Sequence, residues 1–199
     1  MNRLNRESGN VLPVRIYGDQ LLRKKSEPVE EIDGRIKGII SDLIATMYEK
    51  DGIGLAAPQI GHNLRIFVVD PDWFRSGEKN PRVFINPRFL SLSGVEEEEE
   101  GCLSLPGITA EVKRAEKVVI EAMDQEGKMQ RYEAEGLYAR ALQHENDHLD
   151  GILFIDRISK LKLITLKWKL RALEQKKDNK GVNLDTYFSD KQSDIPRNS

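Results

Sequence analysis

The chain holds one cysteine, Cys102, and three histidines in 199 residues. One thiol cannot form an intramolecular disulfide, so a stapled scaffold is excluded, and a lone cysteine is either core filling or chemistry. No stretch approaches eighteen uncharged apolar residues, which speaks against a membrane-spanning helix. The opening MNRLNRESGN has no apolar run of the kind a secretory signal carries. A cytoplasmic protein with no membrane partner is expected. Net charge is small as well: 31 Lys and Arg against 33 Asp and Glu leave −2, and nothing global points to DNA. With 39% hydrophobic and 32% charged residues, the expectation is one globular catalytic domain over residues 1–178 and a polar, loosely held tail over 179–199. No internal repeat is visible.

The scarce histidines are not scattered. Two of the three fall in QHENDHLDG, residues 143–151. On a helix, four residues advance about 400° and roughly 6 Å, so His144 and His148 stand one turn apart on one face and can share a metal ion. Glu145 projects beside them, near enough to reach water at the metal but poorly placed to be a ligand, which suits a base. The pattern H-E-x-x-H also arises by chance in proteins that bind nothing. Here Leu137, Ala141, Leu142, Leu149 and Ile152 make the segment apolar, and an unliganded buried histidine pair would be costly.

A third ligand is then needed. Cys102 lies within EGCLSLPG, residues 100–107, flanked by glycines. Buried structural thiols are the commoner fate of single cysteines; a thiolate in such a loop would complete a three-ligand site. A third unusual stretch, GIGLAAPQ at 52–59, reads as a loop rather than a regular element, and as an ordinary helix-to-strand turn or a close backbone approach to something. Gln59 at its end is suited to donate a hydrogen bond to a developing oxyanion. Cys/His/His ligation tolerates iron(II), zinc, nickel or cobalt.

Between these stretches, Ile36, Ile39, Ile40, Leu43, Ile44 and Met47 form one helical stripe, with Asp33 as cap and Gly52 as stop. Residues 11–28 read as an irregular lead-in, 64–70 as a strand, 82–87 as a strand ended by Pro87, and Glu96–Glu100 as a solvated acidic edge from which Glu100 stands apart. Residues 117–124 and 129–135 read as a hairpin, after which Gly136 opens the histidine helix. From Ser159 to Gln175 a second helical pattern follows, with Leu161, Ile164, Trp168 and the set Leu163, Leu166, Leu170, Leu173 forming a wide docked face. Residues 157–180 carry nine Lys or Arg against two acids. That basic side is either a solvated face or a surface for RNA-rich matter such as the ribosome.

GIGLAAPQ, EGCLSLPG and QHENDHLDG, in this order and spacing, resemble the three signature motifs of the peptide deformylases, with similarity over roughly residues 14–170. The resemblance implies an α+β fold, short antiparallel strands around a central helix bearing H-E-x-x-H, with an N-terminal amphipathic helix and a C-terminal helix packed outside. It implies hydrolysis of the formyl group from N-formylmethionyl nascent peptides. It assigns Cys102, His144 and His148 as metal ligands, iron(II) as the metal, Glu145 as acid and base, and Gln59 with the Leu103 N–H as donors to the formyl oxygen. Gly54 falls where backbone meets substrate, and Ile53, Leu137, Ala141 and the ring side of His144 fall where the methionine pocket is shaped. Glu100 and Arg114 fall where the family pairs a carboxylate with an arginine behind the cysteine loop, and an edge near residues 100–113 is where the substrate chain would add as a strand. Two rivals share the histidine helix: a zinc endopeptidase, for which Asp156 would be the downstream ligand, and a non-catalytic metal-stabilised module. The long glutamate run and the tail leave partner contacts and oligomeric state open.

Overall fold

A computed structural model describes residues 9–175; the expected tail over 179–199 lies outside the described residues. The elements run α1 (Gly34–Glu49), β1 (Gly54–Ala56), β2 (Ile66–Val69), a one-turn α2 (Trp73–Ser76), β3 (Arg82–Ser93), β4 (Glu96–Gly101), β5 (Thr109–Arg114), β6 (Lys117–Met123), β7 (Met129–Glu135), α3 (Gly136–Leu149) and α4 (Lys160–Gln175). The fold is α+β. A five-stranded sheet in the order β1-β2-β3-β6-β7 is antiparallel throughout, and β4 pairs with β5 as a separate ribbon. Among the described residues no helix is long and apolar enough to cross a membrane.

Strand β2 shows how the layers are built. All four of its residues are buried, because alternate side chains serve opposite faces. Ile66 and Val68 meet Ile36, Ile39, Ile40, Leu43 and Met47 of α1, while Phe67 and Val69 meet Ala139, Leu142 and Leu149 of α3. The sheet is thus packed between α1 and α3. A third apolar cluster joins Leu105, Ile108 and Val112 to Leu166, Leu170 and Leu173 of α4, and Cys102 and Leu103 pack against it. The stripe read as α1 is the buried face of that helix, and the Asp33 side chain accepts the Ile36 N–H at 2.9 Å as its cap. The helix stops at Glu49, and the Gly52 N–H then reaches back to the Met47 carbonyl at 2.8 Å.

Three local expectations need correction. GIGLAAPQ is not irregular throughout: Gly54–Ala56 pairs with Phe67–Val69 as β1, and Ala57–Ile60 makes a 3-10 turn. Gly54 lets this strand pass close to α3, since a Cβ there would lie 2.5 Å from Glu145 Oε1. Pro87 does not end its strand; β3 continues to Ser93 because the proline, lacking an N–H, sits in a break of register between Ile85 and Arg88. Asn86, with φ of 51°, makes the bend there, and its amide exchanges two hydrogen bonds with the Val29 backbone at 2.8 and 2.9 Å. The glutamate run is solvated as expected, Glu97, Glu98 and Glu99 being exposed and Glu100 buried, and it is paired with β5, where Lys113 faces Glu97 across the ribbon. Finally, α4 docks a narrow face only. Leu166, Leu170 and Leu173 are buried, whereas Leu161, Ile164 and Trp168 are 79%, 65% and 68% exposed, so its outer side is apolar as well as basic.

Candidate active site

The turn from β7 into α3 sets the site. Gly136 adopts φ of 56°, a left-handed conformation that is cheap for glycine and lets the helix leave the sheet edge abruptly. Helix α3 then lies on the sheet through its apolar face and turns His144, Glu145 and His148 toward the loop that follows β4. The two rings lie edge to face with centroids 5.0 Å apart. Cys102 Sγ stands 3.3 Å from His148 Nε2, and ligand atoms of Cys102, His144 and His148 all fall within 4.8 Å of one another.

A cysteine sulfur and two imidazoles at this separation would suit a divalent transition metal. The surroundings agree. His144 Nδ1 lies 3.0 Å from Glu100 Oε2, the orientation that leaves the other ring nitrogen for a metal. Burial opposes charge on His144, yet hydrogen bonds to Cys102 and Glu100 prevail and raise its pKa well above the ordinary value. Burial, aided by the nearby His144 and Arg114 charges, lowers that of His148.

A cleft of about 680 Å³ opens over the cluster, lined by Ile53, Gly54, Gln59, Cys102, Leu103, Leu137, Ala141, His144 and Glu145 among others. Residues named from three separate motifs thus converge on one cleft. Gln59 is 2% exposed; its Oε1 accepts the Ala56 N–H at 2.8 Å, which orients Nε2 toward Ser104 Oγ at 3.1 Å and Cys102 Sγ at 3.6 Å. Glu145 is 5% exposed, and its Oε2 has no hydrogen-bond partner among the described residues. Desolvation raises its pKa to about 7, against the pull of His144 and Arg114.

Gly54 is required for a reason the motif does not state. A Cβ there would lie 2.5 Å from Glu145 Oε1 and 2.9 Å from its Cδ and Cγ, so β1 passes close against the carboxylate. Gly54→Ala is expected to push Glu145 aside and lower kcat/KM about 100-fold, the scale of a 1 Å misplacement, with metal content unchanged. Activity within twofold of wild type would mean that β1 gives way instead.

Behind the cluster lies a buried ion-pair network of which the motifs reveal only one member pair. Glu100 accepts Arg114 Nε at 2.8 Å and Nη2 at 2.9 Å, and Arg140 Nη1 at 2.7 Å. Arg114 Nη1 also reaches Asp147 Oδ2 at 2.5 Å, and Arg157 holds both oxygens of Asp147. Arg140, Asp147 and Arg157 escaped the sequence reading. Their signal was present: Arg140 and Asp147 are charges on a helix otherwise apolar enough to be buried, and such charges need partners. Asp156, the ligand an endopeptidase would need, accepts the Leu153 N–H at 2.8 Å and pairs with Arg23 instead.

Comparison with known proteins agrees with this arrangement. The family model described as polypeptide deformylase matches residues 11–163. The peptide deformylase of Dictyoglomus turgidum is 47% identical over 147 residues, covering 74% of this chain and 92% of that protein. Peptide deformylase 1 of Clostridium perfringens is 52% identical over 143 residues, covering 72% and 95%. The crystal structure of peptide deformylase from Thermus thermophilus superposes with a TM-score of 0.78 at 43% identity, covering 84% of this chain and all of that one. That from Synechococcus elongatus, in complex with actinonin, gives 0.73 at 41%, covering 79% and 85%. On the extent of these matches, and on a cleft that joins all three motifs, the chain belongs to the polypeptide deformylase family.

Proposed function

We propose that the chain removes the formyl group from N-formylmethionyl nascent peptides by metal-dependent hydrolysis. The observation that carries this reading is a buried Glu145 in the cleft, its Oε2 without a hydrogen-bond partner among the described residues, beside a Cys102, His144 and His148 cluster drawn within 4.8 Å. A bound divalent ion, iron(II) by family resemblance, would polarise the formyl group and acidify water in the cleft. Glu145 takes the proton from the attacking water and returns it to the departing amine. A pKa near 7 suits both transfers. The water oxygen adds to the formyl carbon, the carbon–nitrogen bond breaks, and formate and a free amino terminus leave.

Gln59 Nε2 and the Leu103 N–H steady the oxygen as it gains charge, each such donor being worth about 3 kcal/mol. Gln59 is well suited to this because its orientation is held by the backbone, not by solvent. Ile53, Leu137 and Ala141 supply apolar walls for the methionine side chain, and the Gly54 backbone guides the peptide. The basic and apolar outer side of α4 supports attachment to ribosomes where such peptides emerge; salt-sensitive co-sedimentation with ribosomes is its measurement.

The decisive experiment offers formylated methionyl peptide, acetylated methionyl peptide and casein to anaerobically iron-loaded protein. Formate release from the first substrate alone is expected. Absence of formate release, or cleavage of casein, overturns the reading.

A further inference from the structure

We propose that Arg157 is a positioning residue for the metal-ligand set, holding the His144 ring in place through Asp147, Arg114 and Glu100 and tying it to the root of α4. The proposal rests on the reading of Cys102, His144 and His148 as ligands. Arg157 does not line the cleft over the cluster; it stands at the end of the 3-10 turn Phe154–Asp156, three residues before α4 begins. Its Nε donates to Asp147 Oδ2 at 2.9 Å and its Nη2 to Oδ1. Asp147 in turn receives Arg114 Nη1, while the other two nitrogens of Arg114 are spent on Glu100, whose Oε2 faces His144 Nδ1. Charge alternates at each step from Arg157 to Glu100, and every link between the ends is buried, with side chains of Arg114, Glu100 and Asp147 only 3%, 4% and 7% exposed.

Arg114 is the shared member, and this gives Arg157 its leverage. With Arg157 in place, Asp147 has two guanidinium partners, and Arg114 can give two of its donors to Glu100. Without it, a buried carboxylate is left with Arg114 alone and draws that guanidinium toward itself, since an underpaired buried charge is costly. Glu100 then loosens, and with it the partner that sets the His144 ring. The link also joins both ligand-bearing segments to α4. Leu166, Leu170 and Leu173 of that helix sit in the cluster on which Cys102 packs, and Arg157 holds the opposite flank through α3.

A purely fastening role for Arg157 predicts lost stability and nothing at the metal, so the readout is taken at the metal. Wild type, R157A, R157K and R23K are loaded with cobalt(II), and the release rate to a chelator and the d–d absorption bands are recorded. Melting of the metal-free forms is measured alongside. Arg23 pairs with Asp156 one residue away through two donors, and its charge is felt at His148, so R23K disturbs the same turn while keeping that charge. R157A is expected to release cobalt about tenfold faster, at the lower end for outer partners of ligands, with altered d–d bands. R157K keeps the charge but not the paired donors and should fall between, while R23K matches wild type. Wild-type release and bands in R157A, or an equal change in R23K, overturn the proposal. Should R157A not fold, R157K decides, and a wild-type release rate there overturns it. Failure of the wild-type protein to take up cobalt would instead overturn the ligand assignment itself.

Discussion

Glu145→Ala is expected to retain its metal and to lose deformylation by about three orders of magnitude, within the range for removal of a general acid and base. The separation of the two effects follows from geometry. The residues that could hold a metal are Cys102, His144 and His148, and Glu145 is held apart, with Gly54 passing close against it. Metal analysis and single-turnover formate release in the same sample measure both. Activity near wild type would sink the assignment of Glu145, and loss of the metal with the activity would make it a ligand.

The same residue should make the metal-free protein less stable at alkaline pH. Burial holds its folded-state pKa at about 7, above the ordinary 4.5. Between those values the unfolded chain gives up a proton that the folded chain keeps, so stability falls as pH rises and levels off above about 7. Glu145→Gln removes that cost. Metal-free Glu145→Gln is therefore expected to exceed wild type by on the order of 3 kcal/mol at pH 8 and to match it closely at pH 4.5, a stability gained where function is lost. Melting curves of the two proteins at both pH values check it, and equal stability at pH 8 would contradict a desolvated carboxyl.

Glu100→Gln carries the largest expected effect on stability. Glu100 is 5% exposed and meets Arg114, Arg140 and His144 at once. Removing its charge leaves two buried guanidinium groups short of a counter-ion, a change on the order of 3–5 kcal/mol and about 10 °C in Tm for a domain of this size. Burial by itself would raise the Glu100 pKa; hydrogen bonds and charge from Arg114 and His144 overcome it and hold the pKa far below the ordinary 4.5. A depressed acid contributes its stability fully above its unfolded value and loses it as pH falls toward the folded one. The gap between wild type and Glu100→Gln should thus be constant above pH 4.5 and narrow below it. A variant within 1 kcal/mol of wild type at pH 7 would mean that water or a neighbouring acid replaces the carboxylate.

The contrast between Glu100 and its four neighbours shows where reading the letters stops. Five consecutive glutamates look alike in a string. In β4, alternation sends successive side chains to opposite faces, and the ribbon then carries one of them beneath α3 while Glu97, Glu98 and Glu99 stay in solvent. The misjudged outer face of α4 has a related cause. Leu161, Ile164 and Trp168 share a helical period with each other as convincingly as Leu166, Leu170 and Leu173 do, and periodicity names faces without saying which one finds a partner.

What the chain determines by itself is local and chemical. The spacing of His144 and His148 places two nitrogens on one helical face, the stripe from Ile36 to Met47 makes α1, and three motifs in order suffice for the family. Tertiary structure decided the rest: that Cys102 meets those nitrogens, that Gly54 must lack a side chain because Glu145 lies against it, and that Arg140, Asp147 and Arg157 form one charged network. Each of these depends on groups brought together from distant parts of the chain, where distance and loss of water, not sequence spacing, set the interaction.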